Sequence, residues 1–170
     1  MRIQKPKHNY QISDFRNTWD YNEYQLDVIE QGIDDDLDVS KYADKHLDEM
    51  QMNEIRLGLL SGVNVDLYNK PIYDFQQMSE IRTGLEHGVN ILRCCNQNFK
   101  AKAMQQIRLG LENGLTPAQV RRYAKLEYNP KQMAEIRKGI EQGVSTRGYA
   151  KSKYNYQQMA QKRQDKLSGR

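Results

Sequence analysis

One twelve-residue phrase decides how this chain folds, because it returns several times with only small changes. It reads QMNEIRLGLLSG at residues 51–62, QMSEIRTGLEHG at 77–88, AMQQIRLGLENG at 103–114 and QMAEIRKGIEQG at 132–143. A period of this length is typical of proteins built from stacked supersecondary repeats. The sequence therefore predicts a repeat array, in which each unit packs on its neighbours to bury its apolar face.

Each copy of the phrase is aligned on one anchor position, which is a methionine in all copies but the first. The anchors are Leu26, Met52, Met78, Met104, Met133 and Met159, and successive anchors are 26, 26, 26, 29 and 26 residues apart. In most copies an isoleucine follows the anchor by three residues, and an isoleucine or leucine follows it by seven. Side chains at these spacings share one face of a helix, so each copy predicts an amphipathic helix of about 14 residues.

The ends of these helices also carry recognisable signals. Four residues before the anchor stands an N-cap residue, and three residues after that cap a glutamine completes a capping-box pattern. The caps are Asn22, Asp48, Asp74, Asn129 and Asn155. At the far end a glycine is placed for the left-handed conformation that closes a helix, and Asp36 occupies this position in the first copy. A shorter segment follows, and Thr116-Pro117 predicts that in one unit it forms a second helix.

These signals together predict an all-α fold, a solenoid-like array of about five 26-residue helix–turn–helix repeats. Residues 21–170 are expected to form a single repeat domain. Residues 1–20 are expected to be an N-terminal cap or a partly disordered segment, with Trp19 suggesting that the part just before the first repeat packs as a cap.

A glycine recurs inside each predicted helix, at positions 32, 58, 84, 110 and 139. Glycine in a helix interior costs about 1 kcal/mol relative to alanine. Its repetition therefore predicts a close approach by the backbone of a neighbouring helix.

Composition limits the class of protein. Hydrophobic residues make up 38% of the chain and charged residues 28%, which argues against a large interior. There is no run of about 20 apolar residues that would span a bilayer. The N-terminus has no secretion signal, and the two cysteines are adjacent, so no disulfide framework is indicated. A cytoplasmic protein without membrane contact is predicted.

Charge is distributed unevenly along the chain. Residues 1–85 carry nine Lys/Arg against sixteen Asp/Glu, a net charge of −7. Residues 86–170 carry seventeen against six, a net charge of +11. A difference of this size favours long-range electrostatic steering of a charged partner.

The last third of the chain supplies the main candidate binding residues. They are Arg121, Arg122, Lys125, Lys151, Lys153, Lys162 and Arg163. Tyrosines are interleaved with them, and basic groups with aromatic rings are typical of nucleic-acid binding, where charge gives affinity and rings stack on bases. The alternative is that most of these tyrosines are core residues of the repeat.

An arginine next to the isoleucine of the phrase forms a predicted ladder along the repeats, at Arg56, Arg82, Arg108 and Arg137. Two interpretations of the ladder are open. In the first, each arginine lays its stem over the core and pairs with an acid, for which Glu86, Glu112 and Glu141 stand four residues later. Otherwise the guanidinium groups form a stripe for phosphates or acidic partners.

The acidic run at Asp34, Asp35, Asp36 and Asp38 is a second candidate surface, either a solvated loop or a patch that faces a partner. It lacks the spacing of a calcium-binding loop. Cys94 stands at a tyrosine position of the repeat and is expected as a small core residue. No metal site, cofactor site or catalytic constellation is indicated, so the sequence favours a protein that is not an enzyme.

The phrase Q-M-x-E-I-R-x-G-L-E-x-G, followed by Y-A-K or Y-A-D, resembles repeats of short α-helical proteins from Gram-positive bacteria, their phages and conjugative elements. The resemblance covers roughly residues 21–165 and brings no established catalytic residues with it. A mobile-element setting implies a small protein that modulates host machinery, for example an anti-CRISPR-like inhibitor of a defence nuclease. The first and last copies depart from the phrase, as expected for caps with polar outer faces.

Two functions are open on these observations. The first is a non-enzymatic helical-repeat protein that binds a nucleic acid or a nucleoprotein, through its basic C-terminal half or by an acidic half that mimics DNA. The second is a protein–protein scaffold or self-assembling array, in which the oppositely charged halves pair between copies.

Overall fold

The computed structural model describes residues 8–169, so the first seven residues of the predicted N-terminal segment, and Arg170, lie outside the described part. Over this range the chain forms α-helices and 3₁₀ turns and no strand, which confirms the all-α prediction. The helices are α1 (Ile12–Arg16), α2 (Glu23–Asp34), α3 (Glu49–Ser61), α4 (Phe75–Glu86), α5 (Ala101–Glu112), α6 (Pro117–Val120), α7 (Pro130–Glu141) and α8 (Tyr156–Leu167). None of the helices within residues 8–169 is long and apolar enough to cross a membrane.

Five of the six long helices begin at the predicted caps, and all six have 12 or 13 residues rather than 14. At the start of α3, Asp48 Oδ1 accepts a hydrogen bond from the Gln51 amide at 2.8 Å, and Gln51 Oε1 accepts one from the Asp48 amide at 2.8 Å. The same reciprocal pair opens α2, α4, α7 and α8. Helix α5 has Lys100 at this position and no side-chain cap.

The helix ends follow the predicted chemistry. The glycines at 62, 88, 114 and 143 have φ between +69° and +84°, and Asp36 takes the same conformation with φ +54°. After α3, the Gly62 amide donates to the Leu59 carbonyl and the Val63 amide to the Gly58 carbonyl, which closes the helix. A single 3₁₀ turn follows each of α2, α3 and α4, at Val39–Lys41, Val65–Leu67 and Ile91–Arg93. The short helix α6, capped by Thr116, follows α5 as predicted.

The chain divides into two compact units, one ending at Arg82 and one beginning at Thr83. In the first unit α1 packs on α2 and α2 packs on α3. In the second unit α5 packs on α7 and α7 packs on α8. The anchor residues and the isoleucines that follow them are buried in both units, so the apolar face of the phrase forms the core.

Four of the five repeat glycines face a tyrosine hydroxyl, which corrects the predicted approach of a neighbouring helix backbone; the exception is Gly84. A Cβ on the glycine would overlap the hydroxyl of the buried tyrosine that follows in the same repeat. These pairs are Gly32 with Tyr42, Gly58 with Tyr68, Gly110 with Tyr123, and Gly139 with Tyr149. The tyrosine folds back onto its own helix, and in three pairs its hydroxyl donates to the carbonyl four residues before the glycine.

The capping glutamines have a second role that the sequence did not predict. The buried side chain of Gln25 donates through Nε2 to the Leu47 carbonyl at 2.7 Å, in the next repeat. Gln51 donates in the same way to the Tyr73 carbonyl and Gln132 to the Tyr154 carbonyl, both at 2.6 Å. One side chain therefore caps its own helix and also holds the backbone of the following repeat.

The segment before the first repeat packs through different residues from those expected. Trp19 itself is 94% exposed and has φ +58°, so it takes no part in the packing of this segment. The contacts are instead made by Phe15, whose ring lies 6.2 Å from that of Tyr10 and 6.1 Å from that of Tyr21. All three rings are half-buried, and Phe15 belongs to α1, which packs on α2.

Candidate nucleic-acid interface

The ladder arginines are ion-paired and largely buried. Their side chains are 11–17% exposed. The pairs are Arg56 with Asp35 at 2.6 Å, Arg82 with Glu54 at 2.9 Å, Arg108 with Glu112 at 2.8 Å, and Arg137 with Glu141 at 2.6 Å. Their guanidinium groups are therefore directed at acids of the same or the preceding repeat, the first of the two interpretations that the sequence left open.

Arg163 belongs to this ladder in the structure rather than to an exposed basic surface. Its guanidinium contacts Glu135 at 3.0 Å, and the Glu135 side chain is 8% exposed. Lys138 contacts the other oxygen of the same carboxylate at 2.7 Å. Burial alone would raise the pKa of Glu135, but hydrogen bonds and charge from Lys138 and Arg163 hold it below its usual value.

A shallow depression in the second unit brings together several of the predicted binding residues. This depression, which we call the basin, has a volume of about 400 Å³ and is lined by Arg122, Lys125, Arg147 and Lys151. All four side chains belong to exposed residues. Among the described residues no carboxylate oxygen lies within 4 Å of three of them, and Lys125 has only a distant pair with Glu127 at 3.9 Å. The basin therefore presents cations that the protein does not neutralise.

The repeat scaffold explains why these cations converge. Arg122 and Lys125 flank the buried Tyr123, and Arg147 and Lys151 flank the buried Tyr149 in the next repeat. Because each tyrosine is fixed over its glycine, the turns around it are held in place. Below the basin, the Arg122 guanidinium donates to the hydroxyl of the buried Thr146 at 2.9 Å. The Tyr128 hydroxyl donates to the Ala150 carbonyl at 2.9 Å.

The other predicted basic residues lie elsewhere. Arg121 donates to the Arg93 carbonyl at 3.2 Å and does not line the basin. The ammonium groups of Lys153 and Lys162 lie 5.3 Å and 4.9 Å from the centre of the half-buried Tyr154 ring. The structure thus places three of the seven predicted residues in the basin, two on one aromatic ring, one on a backbone carbonyl and one in the ladder.

The equivalent turns of the first unit are built differently at the surface. Lys41 precedes the buried Tyr42 by one residue, as Arg122 precedes Tyr123, and Asp66 precedes Tyr68 by two, as Arg147 precedes Tyr149. Lys41 Nζ and Asp66 Oδ1 lie 2.8 Å apart. The same two positions therefore hold an ion pair in the first unit and two arginines in the second.

The acidic run is partly used within the first unit. Asp35 pairs with Arg56, and Asp36 accepts a hydrogen bond from the His8 amide at 3.3 Å. Asp38 accepts from Tyr10 at 3.0 Å and from Ser40 at 2.5 Å. Although burial would raise it, these hydrogen bonds lower the pKa of Asp38. Asp34 is exposed at the end of α2.

The cysteines offer no reactive thiolate. Cys94 is buried, as predicted for a core position, and burial raises the pKa of its thiol. Burial, with a smaller contribution from Cys94, raises the pKa of Cys95 to about 12. A thiol with such a pKa remains protonated at neutral pH, and the thiolate is the nucleophile and metal ligand. Across residues 8–169 no group of three or more His, Cys, Asp or Glu is placed to hold a metal ion.

Comparisons of the chain with protein-family models, with curated proteins and with solved structures found no match. The functional argument therefore depends on the residues of this chain alone.

Arg147 is one of the basic residues that crowd the last third of the chain, but the sequence did not single it out for the candidate site. Its signal is present in the sequence, because it stands 26 residues after Arg121, at the same position before the repeat tyrosine. The insertion of three residues before Tyr123 hid which basic residues of neighbouring repeats would meet. Arg122, rather than Arg121, lines the basin with Arg147.

Proposed function

We propose that this chain is a non-enzymatic helical-repeat protein that binds nucleic acid, alone or within a nucleoprotein, through the basic turns of its second unit. The observation that carries the proposal is the basin lined by Arg122, Lys125, Arg147 and Lys151. Clustered like charges repel one another unless a partner neutralises them, and the planar guanidinium group of arginine suits the geometry of phosphate.

The distribution of acids in the second unit supports this function. Of its six acidic residues, Glu112, Glu135 and Glu141 are in ion pairs with arginines of the ladder. These acids neutralise arginines of the ladder and not the basic residues of the turns. The net charge of +11 over residues 86–170 is therefore carried by the turns and the exposed faces. A charge excess of this kind steers polyanions to the surface before any specific contact forms.

The test is binding of a labelled mixed-sequence duplex of about 20 base pairs, measured by fluorescence anisotropy between about 50 and 200 mM salt. If the four cations each contact a phosphate, log K is expected to fall with log salt with a slope of about −3 to −4. The variant Lys125→Ala/Lys151→Ala should bind more weakly, and the magnitude of its salt slope should be smaller by about 2. Lys102→Ala removes an exposed charge elsewhere in the unit and serves as the control.

A flat salt response, or equal losses in the paired and control variants, would contradict the proposal. Unchanged circular dichroism spectra of the variants are needed with either result, so that a loss of binding is not a loss of fold.

The array prediction is part of the same proposal. We propose that the helices belong to a solenoid-like array of about five 26-residue repeats. It is supported by the regular starts of the long helices, at residues 23, 49, 75, 101, 130 and 156. The hydrogen bond from the Gln25 side chain to the Leu47 carbonyl, and its equivalents in other repeats, also joins one repeat to the next. Small-angle scattering that gives a compact rather than an elongated particle would count against the array.

A protein–protein scaffold is the second candidate, and the exposed apolar residues of the first unit favour it. Trp19 is 94% exposed, Tyr24 71% and Ile72 58%. Size-exclusion chromatography at low and high salt separates the candidates. An oligomer that dissociates in high salt supports pairing of oppositely charged surfaces between copies. A protein that is monomeric at every salt concentration would exclude a self-assembling array.

The resemblance to repeats of mobile elements adds a narrower hypothesis, that the partner is a host nuclease complex which the protein inhibits. Recovery of such a complex with the tagged protein from a native host, with nuclease treatment and without it, tests this hypothesis. A complex that is retained only without nuclease treatment indicates that nucleic acid forms the contact.

A further inference from the structure

We infer that the second unit recognises the phosphate backbone of a duplex, and does not bind single strands by stacking on their bases. This inference rests on the proposed function and specifies its ligand. Proteins that bind single strands without sequence preference combine a basic groove with aromatic side chains on which successive bases stack. The inference therefore depends on where the aromatic rings of the second unit lie.

Four of these rings are inside the unit. Phe99, Tyr123, Tyr128 and Tyr149 are all buried, with at most 7% of each residue exposed. Tyr123 and Tyr149 fill the space over their glycines, and the Tyr128 hydroxyl is held by the Ala150 carbonyl. None of the four presents a ring face on which a base could stack.

The two remaining rings are half-buried, and cations lie over them. The ammonium groups of Lys153 and Lys162 are within 5.3 Å of the centre of the Tyr154 ring. The ammonium group of Lys131 lies 4.8 Å from the centre of the Tyr156 ring. A base that stacked on the covered face of either ring would have to displace a lysine from it.

The cationic surface is built on a regular spacing instead. Lys125 and Lys151 each stand two residues after the buried tyrosine of their repeat, and Arg122 and Arg147 stand just before it. Both turns are tied to the scaffold, since Arg122 is hydrogen-bonded to Thr146 and the tyrosines are fixed on their helices. A pre-formed set of cations suits the regular phosphates of a duplex, which carries one charge per about 1.7 Å of its axis.

The basin offers little to read a base sequence. It is lined by turns rather than by a long helix or a strand that could enter a groove, and no asparagine or glutamine is among its lining residues. Sequence-specific contacts depend on such side chains, or on arginines presented to base edges from an element inside a groove. We therefore expect duplex binding to be independent of sequence.

The experiment compares probes of equal length at one low salt concentration: two unrelated DNA duplexes, an RNA duplex and an unstructured oligo-dT strand. The duplexes are expected to bind the full chain at least about tenfold more tightly than oligo-dT, because the single strand has a lower charge density and finds no stacking platform. The two DNA duplexes should agree within about twofold. The DNA and RNA duplexes together show whether the protein distinguishes the two backbones.

A second variant tests for base stacking without changing the charge of the protein. Tyr154→Leu should change binding of every probe by less than about twofold, whereas loss of a stacking residue would weaken oligo-dT binding far more. If oligo-dT binds as tightly as the duplexes, or if Tyr154→Leu selectively weakens it, the duplex inference is overturned while the proposed function stands. If no probe binds, or if Lys125→Ala/Lys151→Ala binds every probe as the wild type does, the proposed function itself fails.

Discussion

The two units of this protein share an internal scaffold and differ at equivalent surface positions. Tyr21 donates to the Ala43 carbonyl in the first unit, as Tyr128 donates to the Ala150 carbonyl in the second. On this common frame the first unit pairs Lys41 with Asp66. In the second unit the equivalent positions hold Arg122 and Arg147, which face one basin.

Under the proposed function, this difference separates surface positions that serve only the fold from positions that serve binding. The ion pair of the first unit is what a surface under no further constraint can form. In the second unit two arginines stand at these positions, so two like charges replace the ion pair. This unfavourable arrangement lies at the surface where we propose that nucleic acid binds. The comparison can be tested by disturbing first the shared scaffold and then the differing surface.

The largest expected effect comes from the shared contact between glycine and tyrosine. Gly110→Ala would place a Cβ on the hydroxyl of the buried Tyr123. Overpacking of this kind in a rigid interior costs about 3 kcal/mol, and urea unfolding followed by circular dichroism measures it. Gly58→Ala should cost about as much in the first unit, because its Cβ meets Tyr68 in the same way.

Gly84→Ala is the matched control for these variants, because its repeat has Cys94 in place of the tyrosine. A Cβ there would lie 3.1 Å from the Val89 carbonyl oxygen and 3.2 Å from Ile91 Cγ2. A small shift can relieve these contacts, and alanine gains about 1 kcal/mol of helix propensity. We expect a net change within about 1 kcal/mol. Equal losses at Gly84 and Gly110 would contradict the account of the glycine.

The next effect concerns an ion pair that both units contain. Glu135 is buried against Arg163 and Lys138, at the repeat position where Glu54 pairs with Arg82 in the first unit. Glu135→Gln should lower the free energy of unfolding by about 2 kcal/mol at pH 7, since hydrogen bonds to a charged group are lost. Urea unfolding at fixed pH measures the difference.

This difference is expected to shrink in acid. The folded-state pKa of Glu135 is below its ordinary value of 4.5, so its stabilisation is complete above the unfolded pKa. It is lost as the pH falls through the lowered folded pKa. The two unfolding free energies should therefore converge between about pH 5 and pH 3. A difference that is constant with pH would show that the carboxylate charge is not what stabilises the contact.

A smaller effect compares two tyrosines at equivalent positions. The Tyr42 hydroxyl donates to the Val28 carbonyl at 3.2 Å, so Tyr42→Phe should cost about 1 kcal/mol. The buried Tyr149 hydroxyl has no hydrogen-bond partner among the described residues. Tyr149→Phe should therefore be neutral or slightly stabilising in thermal unfolding. A larger loss at Tyr149 than at Tyr42 would contradict this assignment.

The smallest effect on stability changes the surface itself. Arg147→Asp reproduces in the second unit the charges of the first, and the new carboxylate can pair with Arg122. We expect the free energy of unfolding to rise by about 0.5 kcal/mol or less, because exposed pairs contribute little. Nucleic-acid binding should fall in the same variant. If the variant becomes slightly more stable and binds nucleic acid more weakly, Arg147 contributes to binding and not to the stability of the fold.

Local features could be predicted from the sequence, while contacts between segments could not. The caps at Asp48 and Gln51, and the left-handed Gly62, depend on residues within one turn of a helix, so their spacing alone reveals them. The tyrosine above Gly58 comes from the following turn, and the sequence showed only that something must lie close to the glycine.

The candidate site shows the same limit. The excess of basic residues in the second half is visible in the sequence, and Arg122, Lys125 and Lys151 were predicted from it. Charge alone does not tell which basic residue is buried. Arg163 looked like part of the exposed set, but its position in the phrase is that of the ladder, and it pairs with Glu135.

The most direct test of the central claim is an NMR titration that observes the side-chain Nε–Hε signals of the arginines while a short DNA duplex is added. The account predicts that Arg122 and Arg147 shift with the duplex. It also predicts that the buried ladder arginines, such as Arg108 and Arg137, remain unchanged. Shifts confined to the ladder, or no shift at Arg122 and Arg147 when the duplex is in excess, would contradict it.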